Sequence, residues 1–151
     1  MIPLQELYQE IILENNSSPY HHYRLESPTH QAEGFNPLCG DRLTVYLKVE
    51  NNKICEASFI GTGCAISQAS ASLMIQSLEG KTLEEAQALF SEFHDLLTTD
   101  TPVDPMYCLT HKWAALSGVR AYPVRVKCAT LSWHTFQSAL ETQSPPIVST
   151  E

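Results

Sequence analysis

The segment that most restricts this chain is "RLTVYLKVE", Arg42 to Glu50, followed by "NNK" and "ICEASFIG". Leu43, Val45, Leu47 and Val49 alternate with Thr44, Tyr46, Lys48 and Glu50, the period of a strand with one buried face. The return segment, with small and apolar residues at alternate positions, makes a hairpin. Parity selects its register. A three-residue loop, Asn51 to Lys53, pairs Val49 with Cys55, Leu47 with Ala57 and Val45 with Phe59, so all the apolar residues share a face. Asn tolerates the left-handed conformation such a loop needs. This register points Cys55 into the core.

Helical patterns surround the hairpin. Leu4, Leu7, Ile11 and Ile12 form an apolar stripe over Pro3 to Glu14. "NNSSPYHHYRLESP" breaks it, and Thr29 to Phe35 fit a short edge strand. "AISQASASLMIQSLEG" reads as a helix closed by Gly80, with small residues that permit close packing. "TLEE", Thr82 to Glu85, is a capping box opening a helix to about Leu97. Met106 to Leu116 fit a further helix closed at Gly118. "RAYPVRVK" reads as extended because of Pro123. "ATLSWHTFQSALE" is the last helix, which Trp133 packs. The fold class is α+β, with a small, about three-stranded antiparallel sheet packed against helices. Residues 1–141 form one domain, and 142–151 a flexible tail.

At 151 residues and 43% hydrophobic, one sizeable core is expected. Apolar runs are too short to cross a bilayer. The N-terminal stretch reads as an amphipathic helix, not a signal peptide, so the simplest location is the cytoplasm. Seventeen acids against nine Lys and Arg give a net charge of −8. That argues against nucleic acid, whose binding needs a basic footprint.

There are five cysteines, and disulfides are not expected in a reducing compartment. Cys39 lies in the turn-like "NPLCGD". Cys64 ends "GTGC" at a helix start, and Cys128, in "VRVKCATLSW", is placed at another. A thiol at a helix N-terminus is favoured as thiolate, and Arg125 and Lys127 would push Cys128 the same way. If the chain turns at Gly40, Asp41 and Cys39 approach one point. Three thiolates and a carboxylate suit zinc, and thiolates also hold iron–sulfur clusters. There is no CxxC pair, so from spacing alone these remain either one shared site or separate turn and core residues.

"NPLCGDRLTV", "FIGTGCAISQASASLM" and "RVKCATLSW" resemble, in order, the three cysteine motifs of the IscU/SufU/NifU-N-terminal iron–sulfur assembly family, over about Leu4 to Glu141. The resemblance implies an α+β fold with the three cysteines and Asp41 gathered at one exposed end. Scaffold members carry His immediately before the third cysteine; here that residue is Lys127. The long Cys64-to-Cys128 separation, which includes "PMYCLTHKWAALSGVRAYP", and "KCATLSW" itself are similar to the SufU branch. In that branch Cys39, Asp41, Cys64 and Cys128 would hold Zn2+, and Cys39 would accept persulfide sulfur from a SufS-type cysteine desulfurase. A partner side chain replacing Cys39 on the metal would free its thiolate, and the sulfur would pass on to a SufB-containing scaffold complex. The protein is then a partner and activator of a desulfurase rather than a stand-alone enzyme. The alternative is a scaffold on which an Fe–S cluster is built and transferred; others are a structural zinc protein and a Cys/His hydrolase. The sequence departs from the family in "NNSSPYHHY" and in the segment that adds Cys108 and His111.

Beside the shared site stand plainer readings. Cys55 is a core residue. Cys108 is structural or partly exposed. His111 is a solvated or capping residue, or lies near the site. His21, His22, His30, His94 and His134 are surface residues. Arg125 either steadies a thiolate or meets an acid of the desulfurase, or is a solvated charge.

Overall fold

A computed structural model describes residues 4–17, 20–37, 40–99, 106–107, 111–141 and 147–149. Its order is α1 (Leu4–Ser17), β1 (His30–Asn36), β2 (Asp41–Glu50), β3 (Lys53–Thr62), α2 (Ala65–Leu78), α3 (Leu83–Thr98), a 3-10 helix (Lys112–Val119), α4 (Pro123–Glu141) and β4 (Ile147–Ser149). The sheet runs β3-β2-β1-β4. Its first three strands are antiparallel, and helices cover it, as expected of an α+β chain. β4 adds a short parallel pairing to β1 at Glu33, Gly34 and Phe35. It falls within the stretch read as a tail, and β1 therefore has a neighbour on each side there.

The hairpin follows the alternation, with one correction. Val45 pairs with Phe59 and Leu47 with Ala57, but Val49 pairs with Ile54. Asn51 and Asn52 both have positive φ, 53° and 64°, which makes a two-residue turn whose twist matches the strands. The register then slips between Lys48 and Val49, leaving Cys55 as the extra residue of a β-bulge. Ile54 fills the core at 0% exposure, and Cys55 is exposed. The three-residue loop had placed Cys55 inside; the bulge inverts the last two positions.

Three further boundaries differ from expectation. α1 continues to Ser17. Met106 and Tyr107 are helical as expected, but a separate 3-10 helix begins at Lys112 and runs through Gly118 to Val119. Pro123 does not extend the chain. It is the first residue of α4, where a missing N–H costs nothing and φ is already helical.

The core joins the sheet to α2, α4 and the 3-10 helix. Phe93 of α3 stacks on Trp133 of α4 at 4.0 Å between ring centroids, with Trp113 edge-on to both. α2 turns Ser67, Ala69, Ser70, Ala71 and Ser72 inward. Ser70 accepts from Trp133 Nε1 at 3.0 Å and donates to the Ala129 carbonyl, which locks α2 to α4. α4 also lies close on β1: a Cβ at Gly34 would collide with Thr135 Oγ1. The capping box forms as the sequence predicts, with Thr82 Oγ1 accepting from Glu85 N and Glu85 Oε1 accepting from Thr82 N. Among the described residues no helix is long and apolar enough to cross a membrane.

Candidate metal centre

The hairpin, α2 and α4 each carry one polar or sulfur group to the same end of the sheet. Asp41 opens β2, Cys64 is the N-cap of α2 just after β3, and Cys128 lies on α4. Ligand atoms of these three residues all lie within 4.8 Å of one another. Cys39 and Cys108 lie outside the described residues.

Asp41 is completely buried. Its Oδ1 accepts from the backbone N–H of Cys64 at 2.9 Å. Its Oδ2 is buried with no hydrogen-bond partner among the described residues. A buried carboxylate oxygen without a donor is costly, and two sulfurs stand beside it. Space for this carboxylate comes from Gly63, where a Cβ would come within 2.5 Å of Asp41 Oδ1.

Cys128 is 2% exposed. Because α4 begins at Pro123, it is the sixth helical residue and not at the helix start. The helix N-terminus acts mainly within the first turn, and Cys128 lies beyond it, contrary to the placement expected from the sequence. Another group meets its sulfur: the Asn36 side-chain amide donates to Cys128 Sγ at 3.7 Å. Asn36 is fully buried, ends β1 and pairs with Asp41. Cys64 is half-buried and does stand at a helix start.

The two basic residues near Cys128 differ in exposure. Arg125 is exposed and lies over the Tyr122 ring, with Cζ 4.8 Å from its centroid. Lys127 is half-buried. His111 is away from the three ligands. It is the N-cap of the 3-10 helix, stacks on Tyr107 at 4.4 Å and lines a cleft of about 610 Å³ with Trp113 and residues of α2 and α3. Cys55 is at the bulge. Three histidines read as surface residues are half-buried: His21, with Nδ1 3.0 Å from Glu79 Oε2, His30 and His134. Asn36 and Gly63 were not singled out in the sequence, although both lie in or beside the motifs that carry the cysteines.

The donor set fits a thiolate- and carboxylate-bound metal. In a tetrahedral zinc site, ligand atoms are separated by about 3.5–3.8 Å, which is compatible with three ligand atoms lying within 4.8 Å of one another. The unpaired Asp41 Oδ2 is the observation that favours a cation over a simple hydrogen-bonded cluster.

The pattern of the NifU-like N terminal domain family matches residues 7–129. The iron–sulfur cluster assembly scaffold protein IscU of Thermotoga maritima is 37% identical over 140 residues, 93% of this chain and 96% of that protein. The zinc-dependent sulfurtransferase SufU of Bacillus subtilis is 34% identical over 140 residues, 91% of each chain. The crystal structure of an iron–sulfur cluster assembly scaffold protein for the SUF system from Fervidobacterium islandicum superposes with a TM-score of 0.79 at 33% identity, covering 90% of this chain and 98% of that one. With its three cysteine motifs in order and the buried Asp41 between two of them, this chain belongs to the NifU-like N-terminal domain family of iron–sulfur cluster assembly proteins.

Proposed function

We propose that this protein is a zinc-dependent acceptor of persulfide sulfur from a SufS-type cysteine desulfurase, delivering that sulfur to a SufB-containing assembly complex in the cytoplasm. The carrying observation is the buried Asp41 carboxylate beside Cys64 and Cys128, with one oxygen that no described residue hydrogen-bonds. Cys39 completes the proposed ligand set. It lies two residues before Asp41, so the backbone keeps their Cα atoms within about 7.6 Å. Zinc bound there would hold the thiolates without redox chemistry. Lys127, where scaffold members of the family carry His, favours sulfur transfer over cluster building.

The chain's own residues have distinct tasks. Cys39 is the nucleophile: its thiolate attacks the outer sulfur of the desulfurase persulfide. The partner's S–S bond breaks, its thiolate leaves with the electron pair, and Cys39 becomes the persulfide, as in thiol–disulfide exchange. Asp41 and Cys64 hold the site rigidly through their shared hydrogen bond. Arg125, one turn before Cys128 and exposed, is available to an acidic residue of the desulfurase.

The scaffold reading has its own support in the identity to IscU proteins, 37% for the Thermotoga maritima protein and 33% for that of Streptococcus pyogenes. Aerobic purification followed by metal analysis separates the two. About one zinc per chain is expected, with little iron. Addition to a SufS-type desulfurase with cysteine should raise alanine production, and Cys39→Ala should abolish that rise. Substantial bound iron without stimulation would establish the scaffold instead.

A further inference from the structure

The buried side chain of Asn36 touches the site without belonging to the ligand set. Its amide donates to Cys128 Sγ at 3.7 Å. Its backbone pairs with Asp41, and its carbonyl accepts the Gly40 N–H at 2.8 Å. One residue therefore holds the third-cysteine sulfur and the strand that carries the carboxylate, and bonds to Gly40 immediately before that strand. β1 can occupy this place because Gly34 lets α4 approach it closely.

We infer that Asn36 is a positioning residue for the metal centre, and that its N–H···S hydrogen bond fixes the Cys128 sulfur for coordination. The inference rests on the zinc reading. An apolar side chain of similar volume would fill the same space and pack adequately. A fully buried amide aimed at a sulfur indicates a bond that is needed there. A hydrogen bond to a ligating sulfur draws density from it and orients it, the role outer-shell groups play in metal sites.

The test is metal binding by the full chain, with cobalt(II) as the spectroscopic probe for zinc. Asn36→Leu keeps approximate volume and removes the donor. It should weaken Co2+ and Zn2+ binding roughly 10- to 100-fold in competition with a chromophoric chelator. The thiolate-to-cobalt charge-transfer band should shift, while the circular dichroism of the metal-free protein stays unchanged. Asn36→Ser, which restores a donor, should recover part of the affinity. Asn36→Ala, which also lacks the donor, is read in the same way should Asn36→Leu fail to fold. Wild-type affinity and an unmoved band in a folded variant that lacks the donor would overturn the role of Asn36 alone. Failure of the wild-type chain to bind either metal would overturn the zinc reading and this inference with it.

Discussion

Asp41 and Cys64, on different elements, are joined by one hydrogen bond from the Cys64 backbone N–H to Asp41 Oδ1. That bond fixes the carboxylate while its other oxygen stays buried, with no hydrogen-bond partner among the described residues. The carboxylate is thus a liability without a cation and an asset with one.

Asp41→Asn should separate these two conditions. In metal-free protein it removes a buried charge yet keeps an acceptor for Cys64 N–H, so stability in urea should rise by about 1–3 kcal/mol. With zinc the order should reverse, since a ligand is lost. Affinity should fall at least as far as the roughly 10-fold that loss of an outer-shell group costs. Equal stability changes with and without metal would count against Asp41 as a ligand.

Gly63→Ala probes the same carboxylate from its other side. The new Cβ would press on Asp41 Oδ1, displacing it from the Cys64 N–H. Destabilisation of about 1–3 kcal/mol is expected, with faster zinc loss to a chelator. Unchanged zinc retention would show that the carboxylate has room to move.

The hairpin bulge is checked by two adjacent residues. Cys55→Ser, on the exposed bulge, should alter stability by no more than about 0.5 kcal/mol. Ile54→Ala, in the core, should cost about 2–5 kcal/mol. Urea denaturation of the two variants measures both; the reverse order would restore the three-residue loop.

His134 supplies a pH test independent of the metal centre. Burial, and then the nearby His94, hold its pKa below the ordinary imidazole value. The unfolded chain therefore takes up this proton at higher pH than the folded one. The stability contribution is full above about pH 6.5 and is lost as pH falls through the folded pKa. In chelator-treated protein, thermal midpoints at about pH 8 and pH 5 should differ less for His134→Gln than for wild type. An identical difference would remove His134 as a contributor.

Much of this molecule is readable from local chemistry. The alternation in β2, the capping box at Thr82 and the small-residue face of α2 are written in short windows where one period or one hydrogen-bond pattern dominates. The misreadings occur where two rules compete. Asn51 and Lys53 satisfied parity with a three-residue loop, but two adjacent asparagines at positive φ make a tighter turn, and a bulge absorbs the difference. Pro123 restricts the residue before it and equally suits a helix's first position; packing of α4 on β1 decides between them. The centre was legible only as a set of motifs. Nothing local shows that Asn36 meets Cys128, because 92 positions separate them and the meeting depends on how closely α4 lies on the sheet.

The three gathered groups come from a strand, a strand–helix junction and a late helix. A compact metal-binding knuckle can form as soon as its short segment exists, but this centre cannot. During synthesis at about 5–20 residues per second, the 64 positions between Cys64 and Cys128 take roughly 3–13 s. Throughout that interval Asp41 and Cys64 exist without their third partner. A nascent chain is thus unable to hold a complete centre before α4 has emerged and docked, so the centre matures only in a chain whose fold is nearly finished.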